Sequence, residues 1–279
     1  MKIIVTKPIV TANWLYKNKN AENLIILDAT ITKVGSVTEV NNVKHQIPNA
    51  VFFDLKNVFL DKKGEFANTL PNASYFESEL QKLGINQDSC IVVYDDIGTY
   101  SSPRVWWLFK VFGFNNIAVL NGGLSTWLQS NYPTEVPEVK KMKMGNFKVN
   151  YQSEKVSKTE EVLKASNNNN YILDARSKER FNATVPEPRK GLRGGHIPNS
   201  KSLPYSELQS KGEMKSVKEL QEMFLKLNPK NEDVIFSCGS GITACILALG
   251  SEIAGNTNYK VYDGSWTEWA SNLELPIEK

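Results

Sequence analysis

A cysteine stands between an apolar run and a glycine-rich turn in residues 234–248, which read VIFSCGSGITACILA. Residues 234–237 predict a short buried strand, and residues 242–254 predict an apolar helix. The stretch CGSGIT, from Cys238 to Thr243, is therefore a tight loop that leads to a helix N-terminus. A thiol in this position is either a buried packing residue or a reactive group.

The loop around Cys238 is suited to nucleophilic chemistry. The thiolate is the nucleophilic form of cysteine, whose ordinary pKa is about 8.5, and converging N–H groups at a helix N-terminus stabilise such an anion. Glycines permit the backbone angles that turn amides inward. The amides expected around the sulfur are those of Gly239, Ser240, Gly241, Ile242 and Thr243. The alternative is that Cys238 is a small buried hydrophobe, as we expect for Cys90 and Cys245.

Three chemistries could use this loop. A Cys-x5-Arg phosphatase loop needs an arginine six residues after the cysteine, where this chain has Ala244. A cysteine hydrolase needs a histidine base, and His196 in GHIPNS is better explained as a residue that fixes its own turn. Sulfur transfer needs neither group, because the thiolate itself attacks a sulfane sulfur and carries it as a persulfide. The missing arginine counts against a phosphatase, and the loop alone leaves the other two chemistries open.

Charge and composition argue against several kinds of partner. The 279 residues include 33 basic and 30 acidic side chains, a net charge of +3, so neither nucleic acid nor a membrane is an expected partner. No apolar run approaches the roughly 18 residues of a membrane-spanning helix, and the first residues do not resemble a signal peptide. The three cysteines lack the spacing of a zinc site. We expect a cytoplasmic protein without disulfides.

Three motifs occur twice in the same order, which indicates two copies of one domain. They pair NLIILDAT with NYILDAR, HQIPNAVFFDL with GHIPNSKSLPY, and AVLNGGLSTW with KVYDGSWTEW. The offset is 146 residues between Asp28 and Asp174 and 142 between Trp127 and Trp269. A period of this length is that of a domain. The predicted domains are residues 1–130 and 156–279, joined by a linker of residues 131–155.

The two copies differ at the cysteine. Aligning VVYDDIG in the first copy with IFSCGSG in the second puts Asp95 in the place of Cys238, which predicts one inactive and one catalytic domain. In each copy, short apolar runs alternate with helical periodicity. This predicts an α/β fold with parallel sheets and helices on both faces. Sites in such folds lie where the carboxyl end of a strand meets the next helix, and the Cys238 loop is at such a junction.

The combination of DAR, GHIPNS, CGSGITA and DGSW, with the first copy lacking the cysteine, resembles the tandem rhodanese family of sulfurtransferases. The resemblance extends from about residue 9 to residue 272. It implies two tandem rhodanese-like domains, a persulfide on Cys238, and a first domain that shapes the cleft without carrying sulfur. It implies no cofactor. The acceptor would be cyanide in an assay, and a thiol or thioredoxin-like protein in a cell.

Within this family, the loop sequence favours 3-mercaptopyruvate as the sulfur donor. Thiosulfate-preferring members have a loop that resembles Cys-Arg-Lys-Gly, whereas the loop here, CGSG, is uncharged. The mercaptopyruvate branch holds its donor with two arginines, and that pattern maps onto Arg180 and Arg189 in KERFNATVPEPRKG. Arginine suits a two-point grip on a carboxylate. Arg193 is left as a surface charge.

One part of the family pattern is missing. The mercaptopyruvate branch typically uses an aspartate and a histidine from the first domain to activate the loop serine, here Ser240. Alignment places Asn68 at the histidine and Lys56 near the aspartate. The relay is therefore absent or built differently, although Ser240 retains a hydroxyl that can bond to the donor. Thiosulfate transfer and a persulfide carrier without efficient turnover remain the alternatives.

Overall fold

The computed structural model describes residues 1–31, 45–138, 141–168 and 170–279. It divides into two compact units. The first comprises Met1–Lys62, Leu70–Tyr151 and Lys211–Glu213, and the second comprises Lys63–Thr69, Gln152–Ser210 and Met214–Lys279. The short segment Lys63–Thr69 therefore belongs to the second unit, although it lies in the first half of the sequence.

The first unit is built on a parallel sheet whose strand order is β1-β5-β4-β2-β3. Its strands are Ile9–Val10 (β1), Leu24–Asp28 (β2), Val51–Phe52 (β3), Cys90–Tyr94 (β4) and Ile117–Leu120 (β5). Its helices are Ala12–Asn18 (α1), Ala73–Lys82 (α2), Ser102–Val111 (α3) and Gly123–Gln129 (α4). Every residue of β4 and β5 is buried, as expected for central strands of a parallel sheet.

The second unit repeats this plan with a parallel sheet in the order β6-β12-β11-β7-β8. Its strands are Val156–Ser157 (β6), Tyr171–Asp174 (β7), Lys201–Ser202 (β8), Val234–Ser237 (β11) and Tyr259–Tyr262 (β12). Gln209–Ser210 (β9) and Glu213–Met214 (β10) form a separate two-stranded sheet. The helices of the second unit are Thr159–Asn167 (α5), Lys178–Phe181 (α6), Val217–Leu227 (α7), Ala244–Ile253 (α8) and Ser265–Ser271 (α9). Short 3-10 turns lie at Ser153–Lys155 and Tyr205–Leu208.

The two units share details as well as strand order. In each, the indole nitrogen of the repeated tryptophan donates to a proline carbonyl over 2.8 Å, from Trp127 to Pro133 and from Trp269 to Pro276. Each bond ties the end of a helix to the chain that follows it. The two tryptophans therefore have the same structural role in the two units. The predicted α/β fold, with a parallel sheet in each of two similar units, is confirmed. Within the described residues, no helix has the length and apolar character needed to cross a bilayer.

The strand and helix that flank the cysteine loop form the core of the second unit. Strand β11 has the predicted bounds and lies between β7 and β12, with Ser237 in register with Asp174. Helix α8 begins at Ala244, two residues later than predicted. Ile242 and Thr243 instead form a turn whose carbonyls accept from the amides of Cys245 and Ile246. The loop therefore reaches from Cys238 to Thr243 before the helix begins.

Candidate active site

Cys238 follows the carboxyl end of β11, and its side chain is buried, with 1% of the residue exposed. The amide of Gly241 donates to its Sγ over 3.1 Å. Gly241 has φ +77°, a left-handed angle that glycine adopts without strain. The loop then enters α8, whose N-terminus carries partial positive charge. The Gly241 amide is therefore a backbone donor directed at the sulfur, in a loop that ends at a helix N-terminus.

The start of α9 holds the cysteine loop in place from the other side. The amide of Trp266 donates to the carbonyl of Cys238, and that of Thr267 to the carbonyl of Gly239, each over 2.9 Å. The amide of Cys238 donates to Ser265 Oγ over 3.1 Å, and this oxygen lies 3.7 Å from the sulfur. Ser265 was not among the predicted site residues, although the repeated DGSW motif contains it. These contacts fix the backbone on which the sulfur is carried.

Ser240 is held by Asn68, the residue that stands where the family pattern has a histidine. The Asn68 side-chain amide donates to Ser240 Oγ over 2.9 Å and to the Ser240 carbonyl over 3.2 Å. Asn68 is 5% exposed and has φ +66°, a conformation that asparagine tolerates better than most residues. The Ser240 hydroxyl is thus contacted by a neutral amide from segment Lys63–Thr69, and this amide is not a base that could take its proton. Because Asn68 donates, the Ser240 hydroxyl proton is left to point elsewhere.

We expect Asn68→Ala to lower kcat/KM for mercaptopyruvate about threefold to tenfold, because Ser240 loses the donor that orients its hydroxyl. Ser240→Ala should have a similar effect, and the double variant should be no worse than the poorer single variant. Steady-state kinetics of the three variants test this coupling. Fully additive losses would contradict it.

Arg180 lies against the loop. A Cβ built on Gly239 would stand 3.0 Å from Arg180 Nη2 and 3.6 Å from Nη1, so the guanidinium is next to the residue that follows the cysteine. Arg180 is held by Glu187, whose Oε2 accepts from Nη2 over 2.6 Å. The side chain of Arg180 is 24% exposed. It can therefore meet an anion close to the sulfur.

The other predicted arginine, Arg189, lines a cavity of about 630 Å³ with Lys190 and Lys279. It lies on the segment that carries Glu187, and it is half-buried. The cationic side chains of this cavity suit an anionic ligand. A role for Arg189 in holding the donor stays a prediction.

The interpretation of Arg193 as a surface charge is wrong. Its guanidinium donates to main-chain carbonyls at the end of α9 and just beyond it. The acceptors are the carbonyls of Trp269, Ala270, Asn272 and Leu275. A cation at a helix C-terminus is stabilised by the helix dipole and satisfies carbonyls that lack a partner within the helix. Arg193 therefore anchors the helix that supports the cysteine loop.

The residues considered for a phosphatase and for a cysteine hydrolase do not have the side chain or the contacts that those reactions need. Ala244, six residues after the cysteine, is a fully buried residue at the start of α8. His196 is bonded through Nδ1 to the carbonyl of Phe181 over 2.9 Å and stacks on its ring. Among the described residues, no three His, Cys, Asp or Glu side chains are grouped as a metal site requires.

The corresponding loop of the first unit is built around a carboxylate. Asp95 directly follows β4, and its carbonyl accepts from Leu124 as that of Cys238 accepts from Trp266. Its buried carboxylate accepts from the amides of Ile97, Tyr100, Ser101 and Ser102 and from the Ser102 hydroxyl. Burial raises the pKa of Asp95, and these hydrogen bonds offset part of that effect. The loop is thus filled by a side-chain oxygen acceptor and has no thiol.

We expect Asp95→Ala to lower the free energy of unfolding by about 3 kcal/mol, because several buried amides lose their acceptor. The exposed neighbour Asp96 provides a control, and Asp96→Ala should change stability by less than about 0.5 kcal/mol. Urea denaturation followed by tryptophan fluorescence measures both. Equal stability of the two variants would contradict the structural role of Asp95.

The chain is similar to a known family and to named proteins over nearly its whole length. The family model described as Rhodanese-like domain matches residues 11–130 and 158–272. The 3-mercaptopyruvate sulfurtransferase of Escherichia coli K12 is 37% identical over 276 residues, which cover 96% of this chain and 97% of that protein. The thiosulfate sulfurtransferase of Bos taurus is 33% identical over 95% of this chain and 93% of that protein.

Solved structures also match the chain over nearly its whole length. The crystal structure of SseA, a 3-mercaptopyruvate sulfotransferase from Escherichia coli, matches with a TM-score of 0.83 and 35% identity. The match covers 94% of this chain and 99% of that one. The crystal structure of the Tum1 protein of Saccharomyces cerevisiae has a TM-score of 0.86 at 28% identity, covering 98% of each chain.

Proposed function

Since the chain belongs to the rhodanese family and is a sulfurtransferase, we propose that Cys238 takes a sulfur atom from 3-mercaptopyruvate and passes it to a thiophilic acceptor. The contact between Arg180 and Gly239, beside an uncharged CGSG loop, carries the donor assignment. This contact supports the donor assignment, because a guanidinium suits a carboxylate and lies beside the residue that follows Cys238, while the loop itself carries no cation. The name of the E. coli relative agrees with this donor.

The reaction needs no cofactor. The Cys238 thiolate attacks the donor sulfur, a new S–S bond forms, and the C–S bond breaks. The electron pair of that bond passes to the donor carbon, which takes up a proton and leaves as pyruvate. The acceptor then attacks the outer sulfur of the persulfide and breaks the S–S bond, so that cyanide leaves as thiocyanate and the thiolate is restored. The Gly241 amide and the loop amides expected from the sequence stabilise the sulfur anion at both stages.

The first unit, with Asp95 in place of the cysteine, carries no sulfur in this proposal. We also propose a thiol or thioredoxin-like protein as the acceptor and the cytoplasm as the compartment. Support for a reducing compartment comes from Cys90, Cys238 and Cys245, which are all thiols.

Thiosulfate is the second candidate donor. It is favoured by Asn68, because a neutral amide stands where the mercaptopyruvate branch has a histidine, and by the bovine relative named thiosulfate sulfurtransferase. Arg180 would then hold a sulfur oxyanion in place of a carboxylate. A carrier that keeps the persulfide without efficient turnover is the third.

Parallel assays of cyanide sulfuration with mercaptopyruvate and with thiosulfate test the proposal. We expect the higher kcat/KM with mercaptopyruvate. A higher value with thiosulfate would replace the donor. No turnover with either donor, together with wild-type protein that gains one sulfur atom, would favour the carrier.

A further inference from the structure

We infer that Glu187 is a positioning residue for the transfer reaction: it holds one edge of Arg180 so that the other edge faces the cysteine loop and receives the donor. This inference rests on the proposed function. Glu187 lies in the same PEPRKG motif as Arg189, but neither the motif nor its charge marks it as part of the site. Its side chain is 2% exposed, so its carboxylate is buried between guanidinium groups.

The hydrogen bonds divide the Arg180 guanidinium into two edges. Glu187 occupies the edge formed by Nε and Nη2, accepting over 3.3 Å at Oε1 and 2.6 Å at Oε2. The edge formed by Nη1 and Nη2 is the one closest to Gly239. Each edge of a guanidinium matches the two oxygens of a carboxylate. The edge formed by Nε and Nη2 is thus used within the protein, and the edge formed by Nη1 and Nη2 is turned toward the donor.

Glu187 is in turn anchored to the sheet. Its Oε1 accepts from Arg176 Nη1 over 2.9 Å, and Arg176 is bound through Nε and Nη2 to Asp174 at the end of β7. Arg176 is fully buried and also donates to the Gly195 carbonyl over 2.8 Å. Burial lowers the pKa of Arg176, but Asp174 and Glu187 outweigh this and raise it, so the guanidinium stays charged.

These contacts form a row of alternating charges, Asp174, Arg176, Glu187 and Arg180, that runs from β7 to the loop. Strand β7 is hydrogen-bonded to β11, which ends immediately before Cys238. The position of Arg180 is therefore tied to the same sheet as the nucleophile. A long arginine side chain loses much conformational entropy when a ligand orders it, and Glu187 removes that cost before the donor binds.

Glu187→Gln tests this role, with Glu179→Gln as the matched control. Glu179 is exposed on the same short helix as Arg180. We expect Glu187→Gln to raise the KM for mercaptopyruvate about tenfold, with kcat within about twofold. The control should match wild type. In an Arg180→Ala background, Glu187→Gln should raise KM no further, because its effect passes through Arg180.

A merely structural role gives a different result. It would lower the melting temperature and the amount of sulfur loaded per chain while leaving the KM of the folded fraction unchanged. That outcome, or an equal rise in KM with and without Arg180, would overturn the inference. Should Glu187→Gln not fold, Glu187→Asp keeps the charge beside Arg176 with a shorter reach, and a KM unchanged in this variant would also overturn it.

The proposed function and the inference fail in distinguishable ways. A wild-type enzyme that turns over thiosulfate and not mercaptopyruvate would show that the proposed donor is wrong. The KM for thiosulfate then serves as the readout, since its oxyanion needs the same edge of Arg180. A wild-type enzyme that uses mercaptopyruvate, with an unchanged KM in Glu187→Gln, would overturn only the inference.

Discussion

Cys238→Ser abolishes sulfur transfer, with an expected loss in kcat of more than about 1000-fold, because a serine hydroxyl is a far weaker nucleophile and cannot form a persulfide. The substitution replaces one atom in a buried position whose backbone is fixed by Ser265 and Trp266. The fold should therefore be preserved. Cyanide sulfuration from mercaptopyruvate, measured beside the melting temperature, separates loss of chemistry from loss of structure.

Cys90→Ala is the control for this variant. Cys90 is fully buried in β4 of the first unit, and burial raises the pKa of its thiol to about 11. At neutral pH this cysteine is almost entirely protonated and unreactive. The control should keep wild-type kcat. Retention of transfer by Cys238→Ser, or its loss in Cys90→Ala at an unchanged melting temperature, would contradict the assignment of the nucleophile.

Arg180→Ala has the second largest expected effect, a loss of about 100-fold in kcat/KM for mercaptopyruvate. The variant removes the charged edge that faces Gly239, and two hydrogen bonds to a charged group at about 1.5 kcal/mol each correspond to this factor. The measurement is the initial rate at donor concentrations well below KM.

Lys178→Ala is the matched control for Arg180→Ala. Lys178 is a cation on the same helix, but it is paired with Glu207 at the surface. Loss of an exposed ion pair changes stability by less than about 1 kcal/mol, and the control should retain the wild-type kcat/KM. Equal losses in the two variants would mean that general positive charge, and not the edge at the loop, attracts the donor.

Much of the fold and of the cysteine loop could be predicted from the sequence, because the patterns that predict them are local. The apolar run of β11, the glycines after Cys238 and the repeated motifs lie within short windows, and each has a direct structural consequence. The bounds of β11 agree with the predicted run of residues 234–237. The error at the start of α8 came from Ile242 and Thr243, whose apolar and hydroxyl side chains fit either a turn or a first helical turn.

The residues that sequence analysis missed act across long sequence separations. Ser265 meets the cysteine loop from 27 residues away, and Arg193 reaches carbonyls 76 to 82 residues away. Asn68 contacts Ser240 across 172 residues, and its alignment with a histidine gave its place but not its hydrogen bonds. Glu187 looked like one more surface acid, because sequence does not show which carboxylate is buried between two guanidinium groups. Such contacts depend on the packed structure.

The proposal that Cys238 carries the transferred sulfur can be tested by the mass of the protein after treatment with mercaptopyruvate in the absence of an acceptor. We predict a gain of one sulfur atom per chain, located by peptide mapping on Cys238, and its loss with formation of thiocyanate when cyanide is added. Sulfur on Cys90 or Cys245 instead, or rapid transfer to cyanide by a protein that never gains the atom, would contradict the account.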